Sequence, residues 1–436
     1  MTFRQKRWLL AAFVLLVAVD GWYLLQGPRE PAYEGKPLRY WFKEYCRSGQ
    51  QIVWDPSRRE EAAAALHQMG TNAVPYLLEQ AFNRRPDSAF RKRVYRLLND
   101  LPRSWRLPVF VSPEVMREEA GFALEEIKPP ARQLLPLLEP YLKSTNSFER
   151  RQALFILGTV SEGAEQAVPW LCAALKSSDP WERVLAVQSL GWIGPKARAA
   201  VPDLIAVLAA PGNTNQPSPL AGTAWALGAI GSNAAPALRL MQAVFGQETN
   251  WNSRCTIAGA LCQIDGGQTN ALAFLTDGLT SYEPAKDRWI AASQLGKIGP
   301  GAKAAVPVLL EALDGTNEML VSQVPGALKK MGVATGTFLP RMKKRLQSDS
   351  EMTRANAAAR VLDIDPADRE AQLVLTELIK RQSIFRGFAI ESLGRARPAV
   401  GEAVAVLDAV VKSRSRERQA ALTALRQIEA KGAARK

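Results

Sequence analysis

Apolar residues recur at helical spacing between Ser177 and Ala210, where they form two separate series. The first series ends at Ile193 and is followed by a Gly-Pro pair. The second series opens on Val201-Pro202, and proline fits there because the first N–H groups of a helix have no intrahelical partner. The pattern predicts two short helices joined by a turn. Because such a pair cannot bury its apolar faces alone, it needs neighbours of the same kind.

The same pattern returns along most of the chain. We call the residues equivalent to Ile193 the anchors, and from Ile127 onward they follow one another at steps of 32 to 37 residues. Leucine lies three positions before every anchor except one. The sequence therefore predicts an all-α fold, an α-solenoid of about ten stacked helical pairs. The anchors are Met69, Ile127, Val160, Ile193, Ile230, Ile264, Ile298, Met331, Ile364, Ala396 and Ile428.

The turns inside the repeats carry a family resemblance. Residues 190–194 read Leu-Gly-Trp-Ile-Gly and residues 295–299 read Leu-Gly-Lys-Ile-Gly, with Val-Pro pairs at 201–202 and 306–307. This pattern resembles the HEAT-repeat family, in particular the short HEAT-like repeats of the phycobilisome-lyase type. The resemblance implies an α-solenoid. It does not choose a function, because HEAT-like proteins include scaffolds, chromophore lyases, a DNA glycosylase group and a metal-dependent hydroxylase.

The N-terminal residues 1–25 have a different composition. Arg4, Lys6 and Arg7 precede a run that is apolar apart from Asp20 and Gly21, and the run is long enough to cross a bilayer. Since it lacks a good cleavage site, we expect an uncleaved signal anchor or transmembrane helix. The predicted location is the inner (plasma) membrane, in a single pass, with the repeats outside the cytoplasm. Secretion after signal cleavage is the alternative.

Three further regions complete the predicted organisation. Residues 26–56 form a linker and an N-terminal capping helix, which contains the stretch GKPLRYWFKEY and resembles the segment that follows the anchor in membrane-anchored bacterial HEAT proteins. Residues 57–430 form the solenoid, with an irregular insertion at 101–113 that contains three prolines. Residues 431–436 form a basic tail.

The formal net charge of +14 is unevenly distributed. Its excess lies in residues 84–106 and 412–436, so the body of the solenoid is close to neutral. The first of these segments overlaps the irregular insertion, where apolar side chains either pack back onto the repeats or contact a partner. The predicted partner-contact residues are Arg91, Arg93, Arg96, Arg103, Trp105, Arg106 and Phe110.

Arginine lies ten positions before most anchors, which forms a ladder along the repeats. The planar guanidinium group suits hydrogen bonds to loop carbonyls and carboxylates between repeats, so we predict a structural role. The alternative is a row of phosphate ligands, as in a DNA-binding HEAT protein. The ladder comprises Arg59, Arg117, Arg150, Arg183, Arg254, Arg288, Arg354, Arg386 and Arg418.

The sequence offers little for catalysis. His67 is the only histidine, and the four cysteines show no CxxC spacing. We therefore expect no enzyme activity, no cofactor and no metal. The predicted function is a non-catalytic scaffold, tethered to the membrane, that binds a protein or peptide along the solenoid surface. The alternatives are a nucleic-acid-binding protein of the glycosylase-like type, although nucleic acid is the less favoured partner, and a chromophore-lyase-type protein.

Overall fold

The computed structural model describes residues 30–48, 56–84, 111–160, 163–210, 220–281, 287–413 and 417–433. They divide into two compact units, the first within residues 1–54 and 58–127 and the second within residues 55–57 and 128–436. The predicted anchor at 1–25 and the predicted contact residues between Arg91 and Phe110 lie outside the described residues. So does most of the insertion at 101–113.

The first unit combines a short hairpin with helices. Strand β1 (Ala32–Tyr33) pairs antiparallel with β2 (Lys36–Pro37). Helix α1 (Leu38–Ser48) follows directly and packs against α4. Its apolar face is buried, and the indole Nε1 of Trp41 donates to the carbonyl of Tyr33 at 3.0 Å. The other helices of this part of the chain are α2 (Pro56–Met69), α3 (Val74–Ala81) and α4 (Pro113–Ile127).

The second unit continues the alternation of first and second helices. Even-numbered helices are the first members of each pair, and each packs against the first helix of the next pair. The helices are α5 (Ala131–Leu142), α6 (Ser147–Leu157), α7 (Val168–Leu175), α8 (Pro180–Ile193), α9 (Val201–Ala209), α10 (Leu220–Ile230), α11 (Leu238–Gln247), α12 (Trp251–Ile264), α13 (Thr269–Asp277), α14 (Trp289–Ile298), α15 (Val306–Ala312), α16 (Glu318–Lys330), α17 (Thr335–Lys344), α18 (Glu351–Ile364), α19 (Arg369–Lys380), α20 (Arg386–Leu393), α21 (Gly401–Lys412) and α22 (Arg418–Ala433). The predicted all-α stack of helical pairs is confirmed in the described residues.

Local sequence sets where the first helices begin and end. The side chains of Asn146 and Asp179 accept hydrogen bonds from the first backbone N–H groups of α6 and α8, which satisfies donors that have no intrahelical partner. At the other end, Gly194 and Gly299 take left-handed φ values of +65° and +72° directly after the anchors. Glycine reaches that conformation without strain, so the chain turns there into a 3₁₀ segment.

The first helices approach one another closely where a glycine lies at the contact. A Cβ atom placed on Gly228 would lie 2.7 Å from the Cα of Ala260 in the next first helix, and one on Gly296 would lie 2.9 Å from the Cα of Ala327. Both distances are shorter than ordinary carbon contacts. Glycine therefore allows the backbones of α10 and α12, and of α14 and α16, to touch.

The prediction of a single-pass membrane protein is wrong. No helix within the ranges given above is long and apolar enough to cross a membrane. A span needs about 20 mostly apolar residues, whereas α22, the longest helix in those ranges, has 16 and carries several charges. The short helices result from the repeat itself, in which a turn interrupts the chain after each apolar face.

Candidate protein-binding surface

One side of the first helices is largely open to solvent. It consists of the residues 12, 8, 5 and 1 positions before each anchor, which a helix of 3.6 residues per turn places on one side. In α8 these residues are Trp181, Leu185, Gln188 and Trp192, and none of them is buried. We call this side of the first helices the exposed face.

The exposed face holds most of the large apolar side chains that are open to solvent. Nine large apolar residues are classed as exposed among the described residues, and seven of them lie at these four repeat positions. Scattered single apolar residues are normal on a protein surface, but concentration at one set of positions is not. The seven are Phe122, Trp181, Trp192, Met319, Met352, Ile384 and Phe388.

Aromatic rings are concentrated on the exposed face of α6, α8 and α10. We call the group formed there by Phe148, Phe155, Trp181, Leu185, Trp192 and Trp225 the aromatic patch. The side chains of Trp181 and Trp192 are 55% and 50% exposed, which leaves about half of each indole open to a partner.

The packing of the aromatic patch fixes two of its indole rings. The ring of Trp192 lies against Gly158 of the preceding repeat, where an added Cβ would be 2.6 Å away, and meets Phe155 edge to face at 6.0 Å. In the same way, the ring of Trp225 lies against Gly191, where an added Cβ would be 2.3 Å from the nearest ring atom. Each ring is thus seated on a glycine within the preceding first helix or directly after it. A rigid, half-exposed aromatic ring binds a partner with little loss of side-chain entropy.

Charge is absent from the exposed face over four successive first helices. From α6 to α12, no described residue at the four positions is charged. After α12, the first charged residues on this face in the described ranges are Lys297 at the end of α14 and Lys330 at the end of α16. Depletion of charge with enrichment of aromatic residues is the composition of an interface core.

The arginine ladder is engaged mainly with the chain itself. Arg150, Arg183 and Arg354 each donate from Nη1 to the carbonyl six residues upstream, at 2.9, 2.7 and 2.7 Å respectively. Arg117 donates to the carbonyl of Asn83 at 2.9 Å, and Arg59 donates to Glu119 at 2.9 Å. These contacts tie the start of a first helix to a nearby loop or helix.

Other ladder positions have different surroundings. The guanidinium of Arg254 lies over the rings of Phe245 and Phe274, at 5.0 and 4.5 Å from their centroids. Arg386 lies 3.8 Å from a carboxylate oxygen of Glu417. Arg288 occupies the N-cap position of α14 without a side-chain capping hydrogen bond, and Arg418 opens α22 as an exposed residue. The structural role of the ladder stays a prediction.

One ladder arginine also joins neighbouring repeats. The Nε of Arg150 donates at 2.7 Å to Glu182, a carboxylate that is almost completely buried and also accepts from the hydroxyl of Ser177 at 2.6 Å. Beside it, Arg151 forms an ion pair with Asp179. A buried carboxylate requires such partners, because an unpaired one would be strongly destabilising.

His67, Cys172 and Cys255 lie apart from one another along the chain and form no shared motif. Nδ1 of His67 lies 3.2 Å from the backbone carbonyl of Glu126 at an exposed position. Burial raises the pKa of Cys172 to about 11 and that of Cys255 to about 12, so both thiols are protonated near neutral pH. Within the described ranges, no cluster of His, Cys, Asp and Glu side chains could hold a metal ion.

Comparison with known families agrees with the repeat pattern. Residues 135–216 match the model for HEAT repeats, and residues 287–315 match the model for the PBS lyase HEAT-like repeat. These two segments of the chain are HEAT-like repeats. No match was found among curated proteins.

Matches among solved structures have low sequence identity and low TM-scores. Kap121p is 15% identical, with a TM-score of 0.34, and the match covers 90% of this chain and 49% of Kap121p. Yeast importin-beta (Kap95p) is 13% identical, with a TM-score of 0.38, and the match covers 95% of this chain and 58% of importin-beta. The chain spans about half the length of the solved chains that it matches.

The sequence did not lead directly to the aromatic patch. Its tryptophans occupy three different repeat positions, 12, 1 and 5 residues before the anchors, so aligning the repeats separates them. A signal was nevertheless present, because those positions share one side of a helix. Grouping residues by helical face would have brought the three tryptophans together.

Proposed function

We propose that this protein is a non-catalytic scaffold that binds an apolar segment of a partner protein on the exposed face, centred on the aromatic patch. The observation that carries the proposal is the position of seven of the nine exposed large apolar side chains on that face. Tryptophan is enriched among the residues that dominate binding energy at interfaces. The patch contains no acid, base or nucleophile, so the chemistry it offers is binding.

The ladder supports a protein partner over nucleic acid. In the repeats of α6, α8 and α18, the ladder guanidinium groups donate to loop carbonyls of the same chain. Phosphate binding would have to compete with these contacts. The neutral exposed face of α6 to α12 likewise offers no cation to a phosphate backbone.

Selection from a library tests the proposal without a known partner. A phage-displayed library of random 20-residue peptides would be selected on the full chain, and the enriched peptides would be measured by fluorescence anisotropy. We expect the double variant Trp181→Ser/Trp192→Ser to bind them at least tenfold more weakly, because hot-spot residues each contribute about 2 kcal/mol or more. The control is Leu137→Ser, another exposed apolar residue, which lies on a second helix.

Two results would overturn the proposal. One is the failure of the library to enrich any peptide. The other is equal binding of the enriched peptides to the full chain and to the Trp181→Ser/Trp192→Ser variant. Far-UV circular dichroism would establish that both variants keep their helical content, so that weaker binding cannot be assigned to unfolding.

A further inference from the structure

The exposed face changes character along the stack. Over α6 to α12 its described residues are uncharged, and at the ends of α14 and α16 it becomes basic through Lys297 and Lys330. The next charged residue on this face is Asp363 of α18, which pairs with Arg360 at 3.1 Å and with Arg395 at 2.8 Å. A short basic stretch is therefore bounded by an uncharged aromatic region on one side and a neutralised acid on the other.

The two lysines are held near each other by the packing of their helices. A Cβ atom on Gly299 would lie 3.4 Å from the carbonyl oxygen of Lys330, so the turn after α14 touches the end of α16. Neither Lys297 nor Lys330 forms an ion pair with any residue in the described ranges. Burial, and then the charge of Lys330, lowers the pKa of Lys297. Two unpaired positive charges in adjacent helices favour an anionic group placed between them.

We infer that the partner is a protein segment that is apolar where it covers the aromatic patch and acidic where it reaches Lys297 and Lys330. This inference rests on the proposed function. It adds the chemical character of the partner segment and the direction in which that segment binds. An uncharged aromatic region matches apolar side chains, and the lysine pair matches carboxylates. Because the uncharged region and the lysine pair follow one another along one face, the segment binds in a single direction.

The spacing of the helices sets the length of the segment. From α8 to α14 there are three steps between neighbouring first helices, and at the usual 8–10 Å per step they span roughly 24–30 Å. An extended chain rises about 3.3 Å per residue. The acidic residues of the partner thus follow the apolar ones by about seven to nine residues, and a 20-residue peptide can reach both regions.

The peptides selected on the full chain test this inference through their composition. We expect apolar residues to be enriched in one half of the sequence and aspartate and glutamate in the other, always in the same order. A synthetic peptide of an enriched sequence should bind the Lys297→Gln/Lys330→Gln variant about fivefold more weakly at 0.05 M salt, since exposed ion pairs are individually weak. High salt should remove most of that difference.

A matched control separates a local contact from the effect of net charge. Lys344→Gln/Lys412→Gln removes the same number of charges from exposed lysines on two second helices, and it should leave the affinity unchanged. Equal loss of affinity in both double variants would overturn the inference, because attraction would then be non-specific. So would enrichment of neutral or basic sequences.

The same experiment distinguishes the two proposals. If the enriched peptides depend on Trp181 and Trp192 but carry no acidic half, the inference about the lysines is wrong and the proposed function stands. If no enriched peptide depends on those tryptophans, the proposed function fails, and this inference fails with it.

Discussion

At the scale of residues, a recurring loop motif before the first helices combines three hydrogen-bonding roles in one short sequence. In residues 177–183, Asp179 caps the helix, the hydroxyl of Ser177 donates to Glu182, and Arg183 donates to the carbonyl of Ser177. The motif recurs with Asn146 and Arg150, and with Ser350 and Arg354. The arginine therefore closes a loop that the cap has already shaped.

Arg183→Ala is expected to lower the melting temperature. The substitution removes hydrogen bonds at 2.7 Å to Ser177 and 3.2 Å to Ser178 from a charged, half-buried donor. Since solvent can reach part of the site, we expect a loss of about 1–2 kcal/mol rather than the full cost of an unpaired buried group. Urea and thermal unfolding followed by circular dichroism would measure it.

Arg198→Ala is the matched control for this prediction. Arg198 is exposed, follows the same helix, and forms no hydrogen bond or ion pair with any residue of the described ranges. Its removal should leave the melting temperature almost unchanged. An Arg183→Ala variant as stable as Arg198→Ala would show that the ladder is not structural at this position.

At the scale of elements, glycine determines how closely the first helices pack. Within a helix, replacing glycine by alanine normally stabilises the protein, because glycine has more conformational freedom to lose on folding. The sign reverses where the added methyl group meets a neighbouring backbone. The chain offers both situations in helices of the same kind, at Gly228 in α10 and at Gly326 in α16.

Gly228→Ala should destabilise the protein, whereas Gly326→Ala should stabilise it by about 0.5–1 kcal/mol. At Gly228 the new Cβ would lie 2.7 Å from both Cα and Cβ of Ala260, so the helices must move apart at a cost of about 1–3 kcal/mol. At Gly326 no atom outside its chain neighbours and the backbone of its own helix lies within 4 Å of the added Cβ. The free energy of unfolding of the two variants, measured in urea, would contradict this account if both changed in the same direction.

The helices could be predicted from the sequence because the residues that begin and end each helix lie within it or directly beside it. Several first helices, including α8, α12, α14 and α18, end on the anchor itself. The apolar period and the glycine turn that follows depend only on neighbouring residues. The exposed face depends on tertiary packing, since the sequence alone does not say which side of a helix its neighbours leave uncovered. That is why the helices were predicted and the aromatic patch was not.

At the scale of the whole chain, the second unit is a series of contacts between neighbours. Each inner first helix packs against the first helices before and after it, and against the second helix of the preceding pair. In such an array the stability is approximately a sum of repeat terms and nearest-neighbour terms. A local loss of packing should therefore stay local. The second unit thus need not unfold in a single cooperative transition.

Two equivalent substitutions at distant repeats test this property. Leu157 in α6 and Leu393 in α20 both lie three positions before an anchor, and both are completely buried. Truncation of either to alanine removes buried methyl groups and leaves a cavity, which costs about 2–5 kcal/mol. We expect Leu393→Ala to reduce hydrogen-exchange protection in α18 to α22 while the amides of α6 to α10 keep theirs, and Leu157→Ala to give the reverse.

If either substitution lowered protection equally in both regions, the unit would unfold as one cooperative block. Binding at the aromatic patch would then respond to changes far along the stack, whereas local unfolding would leave the patch intact when distant repeats open.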